Sequence, residues 1–203
     1  MENRTPKDLS EEHCRIGFNH VIWGNTAEAL NEFRTALEIW PDNPRAHCQI
    51  GQIHFSAPKP NLAEALKEFQ TVTRIAPDWG EGHLCCGNAL DEMGRSDEAE
   101  SSYQEAARLM PSDARPHTSL AICLVKLGRL SDAITSFRRG IALKPHYGEI
   151  SARMMLADAL LQNGQIKEAL IEWEIVSKMK AVWDYEEGEP ELAKKLMAQF
   201  GGS

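Results

Sequence analysis

Histidine and cysteine stand side by side at His13-Cys14 and His47-Cys48, and His83 lies just before Cys85 and Cys86. Imidazole and thiolate are ligands that zinc and copper accept, so a metal centre is the first chemistry to weigh. The spacing works against one. Adjacent residues on a helix point about 100° apart, and neighbouring helices pack at roughly 8 to 10 Å, whereas a zinc-bound thiolate sits about 2.3 Å from its metal. These residues are read instead as packing histidines beside small buried thiols, with no metal and no cofactor. The acid pairs Asp91-Glu92 and Glu186-Glu187 belong to a surface pattern with nothing nearby to raise a carboxyl pKa. The chain has no phosphate-cradling glycine loop, no G-x-S-x-G elbow and no H-E-x-x-H segment. It is read as a binding protein and not as an enzyme.

Charge narrows what it binds. The 203 residues carry 22 Lys and Arg against 30 Asp and Glu, a formal charge of -8, and the isoelectric point is near 5.4. Nucleic acid and anionic membranes call for concentrated basic charge, so neither is expected and a protein partner is. MENRTPKDL has no apolar signal core. No run approaches the roughly 18 apolar residues that cross a bilayer, and a cytoplasmic location is expected. The five cysteines are scattered and odd in number, which suits reduced thiols.

The elements that position these residues emerge from self-similarity. EFRTALEIWP, EFQTVTRIAP, SYQEAARLMP and SFRRGIALKP share one template and close on Pro41, Pro77, Pro111 and Pro145, at spacings of 36, 34 and 34. Eight residues before each proline comes an aromatic, Phe33, Phe69, Tyr103 and Phe137, and Trp173 extends the series. Alanines recur at Ala29, Ala65, Ala99, Ala133 and Ala169, and an upstream helical pattern carries Gly17, Gly51, Gly87, Ala121 and Ala157. Each unit is therefore two helices. Gly24, Gly94, Gly128 and Gly164 are predicted to end first helices in the left-handed conformation. Thr26, Asn61, Ser96 and Ser131 are predicted to cap second helices, and the aromatics to fill the space between one unit and the next. The turn FSAPKPN is two residues longer than its counterparts.

A period of 34 with small residues at fixed places, A-x3-aromatic and a closing proline resembles the tetratricopeptide repeat over about residues 10 to 181. The resemblance implies an all-α fold, a right-handed superhelical array of about five helix-turn-helix units at about 10–43, 44–79, 80–113, 114–147 and 150–181. Residues 1–9 are expected to be a tail. The segment 182–203 is expected to be a linker and a capping helix from about Glu189 to Phe200, and the insertion near Tyr147 and Gly148 a hinge. One feature departs from the family: where Trp is usual, this chain has His13, His47, His83 and His117, so packing there should be looser or carry a hydrogen bond.

The resemblance also implies that first helices line a concave groove for a peptide or protein segment. Carried over by position, the lining is Cys14, Phe18, Val21 and Ile22, then Cys48, Gln52 and Phe55, then Leu84, Asn88, Asp91 and Glu92. Further along come Arg115, Thr118, Ile122, Val125 and Lys126, then Met154, Asp158 and Leu161. Such a surface suits hydrophobic anchors of an extended peptide or amphipathic helix. Family members that clamp a C-terminal carboxylate use a set of Lys, Asn and Arg, which only Asn88 and Arg115 match here. Charge alternates, with eight acids to two arginines over 80–113 and six bases to one acid over 114–147. An adaptor is the expected role, and a self-assembling scaffold, a homo-oligomer, is the alternative.

Overall fold

Thr5 starts the first helix. Its hydroxyl accepts the Asp8 N–H at 3.2 Å while the Asp8 carboxylate accepts the Thr5 N–H at 2.9 Å, a reciprocal cap, and Pro6 takes the first helical position. Helix α1 (Pro6–Ile22) thus begins inside the stretch expected to be a tail. The structure, a computed structural model, describes residues 4–143 and 148–183. Among the described residues nine more helices follow: α2 (Thr26–Ile39), α3 (Pro44–Ser56), α4 (Leu62–Ile75), α5 (Gly80–Glu92), α6 (Ser96–Leu109), α7 (Ala114–Lys126), α8 (Leu130–Ala142), α9 (Glu149–Gln162) and α10 (Ile166–Trp183). Among the described residues there is no strand. The fold is an all-α array of helical hairpins. It groups into two compact units, Met1–Leu109 with α1 to α6 and Met110–Ser203 with α7 to α10.

Turn chemistry sets the hairpins. Gly24, Gly94, Gly128 and Gly164 have φ of 77°, 74°, 74° and 79°, the left-handed conformation expected of them. The hairpin of α3 and α4 has the longer turn, residues 57–61, and closes without glycine: Asn61 accepts the Glu64 N–H at 3.2 Å. The other predicted caps shift. Thr26 is already helical behind Asn25, Ser131 lies inside α8 behind Arg129, and the Ser96 hydroxyl donates to the Asp91 carboxylate at 3.1 Å.

The aromatics take part in cores that run from one hairpin into the next, as expected, Phe33 with Ala46 and Ile50 of α3 and Phe137 with Leu156 of α9, and they also close their own hairpins. Phe33, Phe69 and Tyr103 are each seated on the glycine of the facing helix in the same hairpin. A Cβ added at Gly17 would lie 2.8 Å from Phe33, at Gly51 2.6 Å from Phe69, and at Gly87 2.5 Å from Tyr103. Glycine is required because the flat ring occupies the space a methyl would take. In the second unit Ala121 and Ala157 take this register, and they share one core with Phe137, Leu156, Leu160 and Trp173. In the first unit Cys14, Phe33 and Ile50 belong to one cluster.

A fully buried polar joint ties the first two hairpins together. Asn43 caps α3 by accepting the Arg45 and Ala46 N–H groups at 3.0 and 3.3 Å. Its amide donates back to the Ser10 hydroxyl at 2.8 Å, and Ser10 donates to the Ala36 carbonyl at 2.7 Å. The expected capping helix lies outside the described residues, as does Tyr147 of the expected hinge. Gly148, at the start of α9, has φ of 85°.

Candidate functional site

Exposed apolar side chains concentrate on α1. Phe18 is 50% exposed and Ile22 65%, with Val21 beside them and Trp23 at the helix end. On α3 and α5 of the same unit, Gln52, Phe55, Asn88 and Asp91 are partly exposed. Three of these polar groups are already engaged. Gln52 donates to Cys85 Sγ at 2.9 Å, Asn88 accepts from the Tyr103 hydroxyl at 3.0 Å, and Asp91 accepts from Ser96. Cys48 and Leu84 must be withdrawn from the expected lining because they are buried; Cys14 is buried as well, but it lines a cleft beside Phe18. Cys14 Sγ receives the Asn43 amide at 3.4 Å, and Cys48 is hydrogen-bonded with Cys85. Side chains reaching from α3 and α5 bring these two thiols together, although the spacing between helices argued for separation. The Cys85 hydrogen bond and then burial raise the Cys48 pKa, and burial pushes Cys86 to about 12 and Cys14 to about 11, so these three thiols stay protonated at neutral pH.

In the second unit, Arg115 is exposed and its guanidinium is held by Asp113 at 2.7 Å. Ile122, Val125 and Leu161 lie against the core of that unit and are only partly accessible. Met154 is half-buried and Asp158 exposed. Desolvation still raises the Asp158 pKa, since its surroundings exclude water on one side.

His13, His47 and His83 carry the expected hydrogen bonds. His13 Nδ1 lies 2.7 Å from Glu32, and His47 Nδ1 lies 2.5 Å from Glu68. His47 Nε2 and His83 Nε2 each lie 2.9 Å from the carbonyl of the proline six residues earlier, Pro41 and Pro77. Arg153 occupies the same register in the last hairpin and pairs with Glu172 at 2.7 Å. Burial and the charge of Arg139 lower the His117 pKa, while the Pro111 carbonyl pulls the other way; among the described residues its buried Nε2 has no hydrogen-bond partner.

A pH dependence follows from His47. Its hydrogen bond to Glu68, and then that to Pro41, raise its pKa above the ordinary 6.5 against the opposing effect of burial. The stabilisation is complete below the unfolded value and is lost as pH rises through the folded one. Wild type is therefore expected to lose Tm relative to Glu68→Gln as pH rises from about 6 to about 8. Parallel Tm profiles for the two proteins would refute this.

Beside Phe18, α1, α3 and the start of α5 enclose an open cleft of about 700 Å³. Its walls include Asp8, Glu11, Glu12, Arg15 and Phe18 from α1, Arg45 and Gln49 from α3, and Trp79 ahead of α5. Arg15 pairs with Glu12 at 2.7 Å and Arg45 reaches Glu11 at 3.4 Å. The Thr5 cap lowers the Asp8 pKa, and the Arg15 guanidinium lowers that of Glu12. Among the described residues, neither the Gln49 amide nor the Trp79 indole N–H has a hydrogen-bond partner. Arg15, Arg45, Gln49 and Trp79 were not among the expected lining. The signal was periodic: Arg15 and Gln49 stand 34 residues apart, each directly after a cysteine.

Among the described residues, no group of three His, Cys, Asp or Glu side chains converges to hold a metal ion, and no helix is long and apolar enough to cross a membrane. Models of the tetratricopeptide repeat match residues 22–57 and 87–148. No curated protein matches the chain. Its fold is similar to that of MamA from Desulfovibrio magneticus RS-1, at TM-score 0.76 and 17% identity over 89% of this chain and 98% of that one. It is also similar to PilF of Pseudomonas aeruginosa, at 0.75 and 19% identity over 98% of this chain and 95% of that one. YrrB, described as a TPR protein with an unusual peptide-binding site, matches at 0.70 and 18% identity over 83% of this chain and 85% of that one. With the repeat matched by two models and the ten helices of the described residues folded as hairpins, the chain carries tetratricopeptide repeats, a fold that serves as a protein-interaction module.

Proposed function

We propose that this protein is a non-enzymatic adaptor that holds a peptide or protein segment on the exposed faces of its first helices. The supporting observation is the apolar strip on α1. Phe18, Val21 and Ile22 stand at helical spacings of three and four residues, all exposed, and Trp23 extends them. A contiguous apolar surface of this kind costs solubility and is a mark of interaction sites. The similarity to YrrB adds weight, since that protein is described as binding peptide.

The test compares affinity capture by wild type with capture by Phe18→Ala combined with Ile22→Asp, both at exposed positions. Partners retained by wild type are expected to be lost from the variant, with unchanged helical content by circular dichroism. Equal capture by a folded variant would refute the proposal. Light scattering addresses the scaffold alternative: a monomer at high concentration rules out self-assembly as the role of this surface.

A further inference from the structure

We propose that the cleft beside Phe18 is an anchor site for a basic, extended peptide segment that presents an aromatic or large aliphatic side chain next to lysine or arginine. This rests on the adaptor reading and specifies its ligand. Three features of the cleft define the occupant. Phe18 and Trp79 contribute apolar rings, the surface an inserted side chain needs for burial. The Gln49 amide offers a donor and an acceptor with no partner among the described residues, the complement of one backbone peptide group. The charge is acidic where it is fixed. Asp8, Glu11 and Glu12 outnumber Arg15 and Arg45, and the side chains of Glu11 and Glu12 are 33% and 40% exposed against 69% and 66% for their arginine partners. The guanidiniums extend further into solvent than the carboxylates they pair with.

The wider field has the same sign. Residues 1–109 carry eighteen Asp and Glu against ten Lys and Arg, and 110–203 carry twelve of each, so the first unit holds the whole net charge of -8. A cationic segment is steered toward this unit, and an acidic one is repelled.

The test is fluorescence anisotropy of the full chain with three fluorescein-labelled peptides. One places lysines around a central tryptophan, the second replaces the lysines with glutamates, and the third replaces the tryptophan with alanine. The lysine–tryptophan peptide is expected to bind about tenfold more tightly than either of the others at low salt, with the preference shrinking as salt rises. It is expected to weaken about tenfold on Phe18→Ala and about two- to fivefold on Glu11→Gln combined with Glu12→Gln. All three side chains are exposed enough to be replaced without unfolding the chain, which circular dichroism verifies. Equal binding of the lysine and glutamate peptides, lost on Phe18→Ala, overturns the charge preference and leaves the adaptor reading standing. Lysine–tryptophan binding that is unchanged in both variants belongs to another acidic surface and overturns the site. Binding of none of the three overturns the inference, and the capture comparison then decides the adaptor reading independently.

Discussion

Phe69→Ala is expected to lose about 3 to 5 kcal/mol of stability, the usual cost of deleting a large buried ring. Phe69 is 1% exposed, and its ring is the surface on which Gly51 rests. Removing it leaves a cavity that glycine cannot fill from the other side. A domain of this kind has about 5 to 15 kcal/mol in total, and in a repeat array each unit relies on its neighbours, so one lost seat weakens the adjoining hairpins as well. Urea unfolding followed by circular dichroism measures the loss. Phe18→Ala is the control: half-exposed, it should shift stability by no more than about 0.5 kcal/mol. An unchanged midpoint for Phe69→Ala would show that the ring is not the keystone of its hairpin.

Asn43→Ala is expected to cost about 2 to 4 kcal/mol, although it removes few atoms. About 1 kcal/mol belongs to the lost cap of α3. The rest comes from polar groups left buried without partners, at about 1 to 3 kcal/mol for each group stranded. Arg45 and Ala46 would lose their acceptor, and Ser10 its donor; the Ala46 N–H and the Ser10 hydroxyl are buried away from water. Asn43→Asp separates the two parts. It keeps the acceptor for the cap, but it cannot donate to Ser10 and introduces a buried charge, so it should fare no better than alanine. Aspartate with near wild-type Tm would show that the link to Ser10 contributes little.

The repeat was legible because glycine, alanine, aromatic and proline each answer a local steric demand, and such demands recur every 34 residues. The turns at Gly24, Gly94, Gly128 and Gly164 were readable for the same reason, since positive φ is a property of one residue. What resisted reading were properties of pairs. Periodicity marks Phe33 as buried, but which neighbour it covers depends on how the second helix returns, and it returns onto Gly17 of its own hairpin. Asn43 reads as an ordinary cap; that its amide also reaches Ser10, 33 residues earlier, is a tertiary fact. The binding face was legible only in part. Carrying positions over from the family resemblance gave Phe18 and Ile22, which are exposed, but also Cys14, Cys48 and Leu84, which helix packing buries. Trp79 was missed because it precedes its helix and so falls outside the first-helix positions.

The seating of Phe33, Phe69 and Tyr103 each on its own hairpin bears on how such a chain lengthens. Knob and socket arise from a single stretch of about 34 residues, so a tandem duplication copies both together. Had the ring covered the preceding unit instead, every insertion would have split a matched pair. Even the turn at 57–61, two residues longer than the others, fits this logic, because it lies within one hairpin and moves Gly51 and Phe69 apart in number but not in space. The array can grow, shrink or accept a longer turn and keep these rings matched to their own glycines.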